Sequence, residues 1–372
     1  MVDIYNASGW FLFFTRDWIV NSNLLDTDYY KEFNLEEGSK PYSEPGRVEE
    51  VMHWRFLEEI EGSPPPAFVA VIPNGRVCGA KGAVITPDNK LVWDLSIDYL
   101  STPATHPILQ LKELPPIRKI SGTAAVLTFS VSSYYYHWMF DVLPRIELLR
   151  KRALKADIFI INDFLPRSFQ EQTLRILDIP LSRVKVCGND FHLMADRLVV
   201  PSLTGYTGHM PKWACEFLRK TFLAKNFLKK KGYNTLTGCE RIYISREKAK
   251  MRKVINEGEV VDLLSSYGFK KVYLEFMPFE EQVRLFSSAE MIVSPHGGGL
   301  TNLVFCKPGT RVLEFFSPGY VNVLYWILSN HLKLDYYYII GEGSPPADRK
   351  NNMVWDSITV NIDKLAHALE IA

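Results

Sequence analysis

Apolar and polar positions alternate regularly only in the later part of the chain. From Asp157 onward, short apolar runs of strand length are separated by stretches with helical spacing. Ile158–Ile161, Val184–Cys187 and Arg197–Val200 read as strands. Ser168 with Glu171 forms a capping box that opens a helix ended by Pro180. Pro211 opens a further helix with Trp213, Phe217, Leu218 and Phe222 inward. A second alternation starts near Arg241. Its strands are Ile242–Ile244, Lys271–Leu274, Ala289–Val293, Arg311–Phe316 and Tyr336–Ile340, with helix faces marked by Val260 and Leu264, by Phe279, Val283 and Phe286, and by Val321, Leu324, Tyr325 and Leu328. Strands joined through helices imply parallel sheets with right-handed crossovers, an α/β class.

The first 120 or so residues lack this rhythm. Breakers at Pro64-Pro65-Pro66, Pro73-Asn74-Gly75 and Pro115-Pro116 interrupt charged and aromatic segments, and only Phe68–Ile72 and Lys90–Asp94 read as short strands. The expected organisation is an N-terminal domain over 1–232, irregular α+β at first and Rossmann-like from about 120. A C-terminal domain over 233–345 follows, then a tail over 346–372 whose helix, Asp363–Ile371, can pack on either domain. The basic run Lys229-Lys230-Lys231 before Gly232 reads as the linker.

Composition narrows the function by exclusion. Within 372 residues, 43 Lys and Arg balance 42 Asp and Glu, which removes the electrostatic basis for general nucleic-acid binding. The apolar run Gly9–Phe14 stops at Thr15-Arg16-Asp17, short of the ~20 residues of a spanning helix, and lacks the flanks of a signal peptide. Five scattered cysteines with no C-x-x-C pair point to a reducing compartment, without a disulfide frame or a zinc site. The expected location is therefore cytoplasmic, with room for peripheral association at the inner face of the membrane.

The chemistry concentrates in two segments. In Ser294-Pro295-His296-Gly297-Gly298-Gly299-Leu300-Thr301-Asn302, a strand runs into a glycine turn and then a short helix opening on Thr301 or Asn302. Such a turn points backbone N–H groups at an anion, and the missing Cβ atoms let a phosphate approach closely. The alternative is a plain tight turn. His296 stands at a strand's carboxyl end, where open α/β sheets bind ligands, and Glu314 lies near the end of the next strand, suited to ribose hydroxyls. The dinucleotide spacing G-x-G-x-x-G is absent. The second segment is Ser133–Arg145. If it is helical, His137 and Asp141 share a face beside Trp138 and Phe140. Pro144 either kinks that helix or opens a new one, so Arg145 shares the face or leaves it. The alternative is a His–Asp pair that ties down an aromatic core. Asp26-Thr27-Asp28 matches a metal-holding D-x-D, but no apolar strand precedes it and a solvated turn accounts for it.

Taken together these segments resemble glycosyltransferase family 61. The resemblance is carried by Tyr135-Tyr136-His137-Trp138 through Asp141 and Leu143-Pro144-Arg145, by Ile244-Ser245-Arg246 with Arg252 and Asn256-Glu257, by Pro295–Asn302, and by Leu313-Glu314. It runs from about Tyr134 to the C-terminus. It implies a GT-B transferase, two Rossmann-like domains facing across a cleft, with the nucleotide sugar on the C-terminal one. Inversion at the anomeric carbon and independence from metal follow from the same resemblance, and the missing anchor is similar to bacterial capsule or surface-polysaccharide members. The donor, expected to be a UDP-sugar and the only small molecule required, would meet Arg246, Arg252, His296, Gly297, Gly298, Gly299, Thr301, Asn302 and Glu314. The glycan acceptor would meet Tyr136, Trp138 and Arg145, with Asp141 as general base and His137 its rival. Two other functions fit the same residues: a nucleotide-sugar epimerase, and a non-catalytic partner in polysaccharide assembly.

Overall fold

The structure is a computed structural model that describes residues 11–26, 28–35, 42–46, 48–57, 66–99, 101–166, 168–206, 208–224, 239–343 and 356–372. The chain divides into two units. Unit 1 comprises Met1–Glu37 and Pro64–Phe217, and unit 2 comprises Gly38–Ser63 and Leu218–Ala372. Both are mixed α/β with parallel strands, as the alternation predicts.

In unit 1 the strands are β1 (Phe11–Leu12), β2 (Tyr30–Phe33), β3 (Ala67–Pro73), β4 (Arg76–Cys78), β5 (Ala83–Ile85), β6 (Leu91–Val92), β7 (Arg118–Val126), β8 (Ile158–Ile161), β9 (Val184–Val186) and β10 (His192–Pro201). The parallel part runs β10-β7-β8-β9, which is half of a doubly wound sheet with β7 as its first strand. The region read as irregular is the rest of the same sheet. β3 and β4 both pair antiparallel with β10, and β5, β6 and β2 extend the hairpins outward. The expected strands Phe68–Ile72 and Lys90–Asp94 correspond to β3 and β6, whereas β2, β4 and β5, three or four residues long, are too short for a period to stand out. The core gathers Ile72, Val77, Val84, Ala124, Val126, Ile160, Leu198 and Val200 from both parts of the sheet.

Unit 2 has strands β11 (Arg241–Ile244), β12 (Lys270–Val272), β13 (Met291–Pro295), β14 (Arg311–Phe316) and β15 (Asp335–Ile340), all parallel, in the order β12-β11-β13-β14-β15. Counted within the unit this is 2-1-3-4-5, so the strand order reverses between β11 and β13. β13 is buried along its whole length and β14 from Val312 on, as expected of parallel strands covered on both faces. One face is covered by the helices Glu257–Ser266 and Ile362–Ile371, with Val260, Leu264, Leu365 and Ala368 inward. The C-terminal helix, open to either domain in the sequence, therefore belongs to unit 2. So does part of the N-terminal region. Gly46 bridges Tyr337 on the edge strand β15, and Phe56 stacks on Tyr338 at 4.4 Å between ring centroids. This gathering differs from the expected 1–232 domain, because edge-strand pairing and ring packing are long-range and leave no local pattern. The basic run Lys229–Lys231 lies outside the described residues.

Candidate active site

The loops leaving β11 and β13 meet at the reversal of unit 2, where two neighbouring strands send their connections apart and leave a crevice. β13 ends at Pro295, His296 follows, and the turn continues as a tight helix over Gly298–Phe305. The helix thus opens inside the glycine triplet, not at Thr301 as expected. Its first N–H groups, which no helical carbonyl can reach, belong to the glycines. Thr301 and Asn302 are buried one turn on and hold the turn from within. Thr301 Oγ1 is 3.3 Å from the Tyr325 hydroxyl, and Asn302 Nδ2 donates to Gln282 Oε1 and to the Gly299 carbonyl.

Two arginines line this turn. Arg246, two residues past β11, donates from Nε and Nη2 to the Met251 carbonyl. That anchorage lays Nη1 over Gly297, where a Cβ would come within 2.0 Å of it. Arg252 adopts a left-handed backbone, φ 53°, a conformation that costs a non-glycine residue roughly 1–2 kcal/mol. The turn swings its side chain back so that Nε donates to the His296 carbonyl at 2.9 Å, with the guanidinium 5.7 Å from the Tyr320 ring. Burial, then the charge of Arg252, pushes the Arg246 guanidinium down to about 10, which leaves it cationic at neutral pH, and burial lowers Arg252 as well. Like charges held together in a half-buried crevice favour an anion. Gly298 faces open space, with nothing within 4 Å of its added Cβ, whereas Gly299 packs on Leu274 and Ile244.

His296 is almost enclosed. Its backbone N–H donates to the Phe315 carbonyl, and the rings of Phe316, Tyr320 and Tyr325 stand 5.4–5.5 Å from the imidazole. Nδ1 lies 2.5 Å from Glu314 Oε1, and the Tyr336 hydroxyl donates to Oε2 at 2.6 Å. Glu314 is therefore no open acceptor for ribose hydroxyls: it is 0 % exposed and both oxygens are occupied. The strand places it beneath the histidine, since Ser294 and Glu314 are register partners on β13 and β14. Sequence reasoning missed Tyr336, Tyr325, Tyr320 and Ser317. The alternation Tyr336-Tyr337-Tyr338 could have given the first, because the outer two residues share a buried face. Ser317 follows β14, and its hydroxyl is buried without a partner among the described residues.

In unit 1 the segment after β7 is helical, but not uniformly. An α turn at Tyr135–His137 widens into a π turn at Trp138–Val142 before an α-helix at Arg145–Lys151. Pro144 accounts for the widening. It has no N–H to give to the Phe140 carbonyl and its ring would collide with that oxygen. Leu143 instead donates to Trp138 at 3.0 Å, and Thr204 Oγ1 takes the Phe140 carbonyl. His137 and Asp141 are brought together, Nδ1 to Oδ2 at 2.7 Å, with the imidazole 21 % exposed and the carboxylate 6 %. Burial raises the Asp141 carboxyl above its ordinary range, and the hydrogen bond and charge of His137 oppose the rise.

The other residues expected to face an acceptor lie deeper. Trp138 is 0 % exposed and donates from Nε1 to Thr173 Oγ1, Tyr136 is buried against Phe140, and the exposed ring of the segment is Tyr134 at 62 %. Arg145 is also 0 % exposed. Its guanidinium donates to the carbonyls of Val126, Thr128 and Pro201, around the carboxyl ends of β7 and β10. It stoppers the strand-order reversal of unit 1, and offers an acceptor no surface in this conformation. Burial pushes it down to about 9 while Asp141 pulls it up.

At the D-x-D match, Thr27 lies outside the described residues, and the Asp28 N–H turns back to Asp26 Oδ1 at 3.3 Å. Among the described residues no three His, Cys, Asp or Glu side chains gather as a metal site, and no helix is long and apolar enough to cross a membrane.

Both segments fall within one comparison. Residues 135–313 match the sequence profile of the family described as Glycosyltransferase 61. This stretch, just under half of the chain, is similar to glycosyltransferase family 61. Its similar relatives include a beta-1,2-xylosyltransferase of Oryza sativa subsp. japonica, 37 % identical over 68 residues, which are 18 % of this chain and 13 % of that protein. An EGF domain-specific O-linked N-acetylglucosamine transferase of Drosophila melanogaster is 31 % identical over 78 residues, 20 % of this chain and 15 % of the relative. A beta-1,2-xylosyltransferase of Arabidopsis thaliana is 30 % identical over 98 residues, 23 % of this chain and 18 % of the relative. The chain thus spans less than a fifth of the length of the curated relatives it matches. All three relatives are named as sugar transferases. They come from plants and an animal, whereas the sequence resemblance leaned toward bacterial surface-polysaccharide members.

Proposed function

We propose that this chain is an inverting, metal-independent glycosyltransferase that moves a sugar from a nucleoside-diphosphate donor, UDP by preference, to a hydroxyl of a glycan or polysaccharide. The observation that carries the reading is the pair Arg246 and Arg252 converging on the Gly297–Gly299 turn at the strand reversal of unit 2. Breaking the bond from the anomeric carbon to the phosphate oxygen sends its electron pair to the diphosphate. Fixed guanidinium groups and turn N–H groups meet that charge without a metal ion. The acceptor oxygen attacks the anomeric carbon from the opposite side and its proton passes to Asp141, which His137 orients. In this reading the two units act as the halves of a GT-B enzyme. The cytoplasmic setting rests on the cysteine pattern and the short apolar run of the sequence, and the surface-polysaccharide setting on the sequence resemblance alone.

A panel of nucleotide sugars with glycan acceptors, followed by NMR of the product, tests the proposal. UDP at about a hundred times its Kd should stabilise the fold by ~2.7 kcal/mol, with EDTA present, and the shift should shrink in Arg246→Ala. Stabilisation that disappears with chelator, retention of the anomeric configuration, or conversion of the donor without an acceptor each overturns it.

A further inference from the structure

The acid behind His296 has no access to a ligand, yet it is built with care. Glu314 receives Tyr336 Oη–H on one oxygen, and His296 Nδ1 stands against the other. Tyr336 reaches it from β15. There Tyr338 is the register partner of Glu314, so Tyr336 is its diagonal neighbour on the same buried face. Burial and the neighbouring carboxylate hold the Tyr336 hydroxyl far above its ordinary range, so it remains a donor. An ionised carboxylate only accepts, and an enclosed one is tolerated when every oxygen is bonded. Nδ1 must then donate as well. The His296 backbone N–H is taken by Phe315 and its carbonyl by Arg252, and three aromatic rings wall the imidazole. Nε2 is the atom this arrangement leaves for a ligand.

We propose that Glu314 and Tyr336 are positioning residues that keep the His296 proton on Nδ1 and turn Nε2 toward the donor diphosphate. The target of Nε2 rests on the transferase reading, while the tautomer does not. Carboxylates that fix the tautomer and orientation of metal-ligating imidazoles typically matter about 10–100-fold when removed, and an effect of that order is expected for the same geometry behind His296.

The test uses the full chain labelled with 15N-histidine, with His296 assigned by its loss in His296→Gln. Long-range proton–nitrogen correlation should find His296 protonated on Nδ1, and UDP should move Nε2 more than Nδ1. Tyr336→Phe keeps the ring and its packing. It should lower kcat roughly tenfold with donor KM within about twofold, while melting temperature and circular dichroism stay those of the wild type, so that the loss is not one of folded enzyme. Glu314→Gln should disturb the tautomer and lower kcat at least as far. If that variant does not fold, Tyr336→Phe decides. A wild-type His296 protonated on Nε2 alone overturns the proposal, as does a Tyr336→Phe protein with unchanged histidine shifts and normal kcat. A wild-type chain that transfers no sugar defeats the transferase reading, and the nitrogen shifts still decide the positioning role.

Discussion

His137 Nδ1 and Asp141 Oδ2 are 2.7 Å apart across a π turn. A widened turn of this kind re-aims side chains within a helix, and such turns recur at functional sites. Here a proline forces it, and the pair ends at the surface with the imidazole outermost. Asp141 is the more shielded of the two, and His137 the more open.

Asp141→Asn keeps the size and loses the proton acceptor. Turnover should fall by roughly 10²–10⁴, with UDP affinity unchanged by calorimetry. Near-normal turnover in Asp141→Asn, with loss in His137→Gln, would hand the base role to the histidine.

The same variant has a pH signature. Because burial raises the folded-state carboxyl above its unfolded value, the folded protein holds this proton more tightly, and the residue's contribution to stability falls as pH rises through that window. Asp141→Asn removes the term. Its melting temperature relative to wild type should improve from acid toward neutral pH. The same linkage makes wild-type turnover fall on the acid side, as the base takes up a proton.

Two adjacent glycines should behave differently. Gly297→Ala puts a methyl within 2.0 Å of Arg246 Nη1 and must push the guanidinium aside. Gly297 itself is extended, φ 169°, so no backbone penalty confuses the result. UDP binding should weaken about as far as in Arg246→Ala, while Gly298→Ala, which meets nothing within 4 Å, should bind normally. Equal losses in the two alanine variants would show that Arg246 is not what the turn presents.

Arg145→Lys is expected to fail as a conservative change. One ammonium cannot serve three carbonyls spread around two strand ends, and each buried carbonyl left unpaired costs about 1–3 kcal/mol. Urea denaturation should show a loss of several kcal/mol. A variant that folds normally but loses acceptor affinity would return Arg145 to the acceptor side.

The sequence by itself determined the order of elements after Asp157 and the two polar constellations, because helix period, strand runs and glycine or proline punctuation are local properties of the backbone. It also left Pro144 as either kink or start. Tertiary structure decided that it is both the reason for the π turn and the cap of the next helix. Only the fold assigned the depth of each polar group. Glu314 reads as an open carboxylate until Tyr336 arrives from a strand twenty-two residues on. Arg145 and Trp138 read as sugar-facing until β7, β10 and the helix bearing Thr173 close over them. The hairpins before residue 120 and the docking of the Phe56 segment on β15 were invisible for the same reason. Burial and partnership depend on which distant strands become neighbours, and a short or irregular segment carries no periodic trace of that choice.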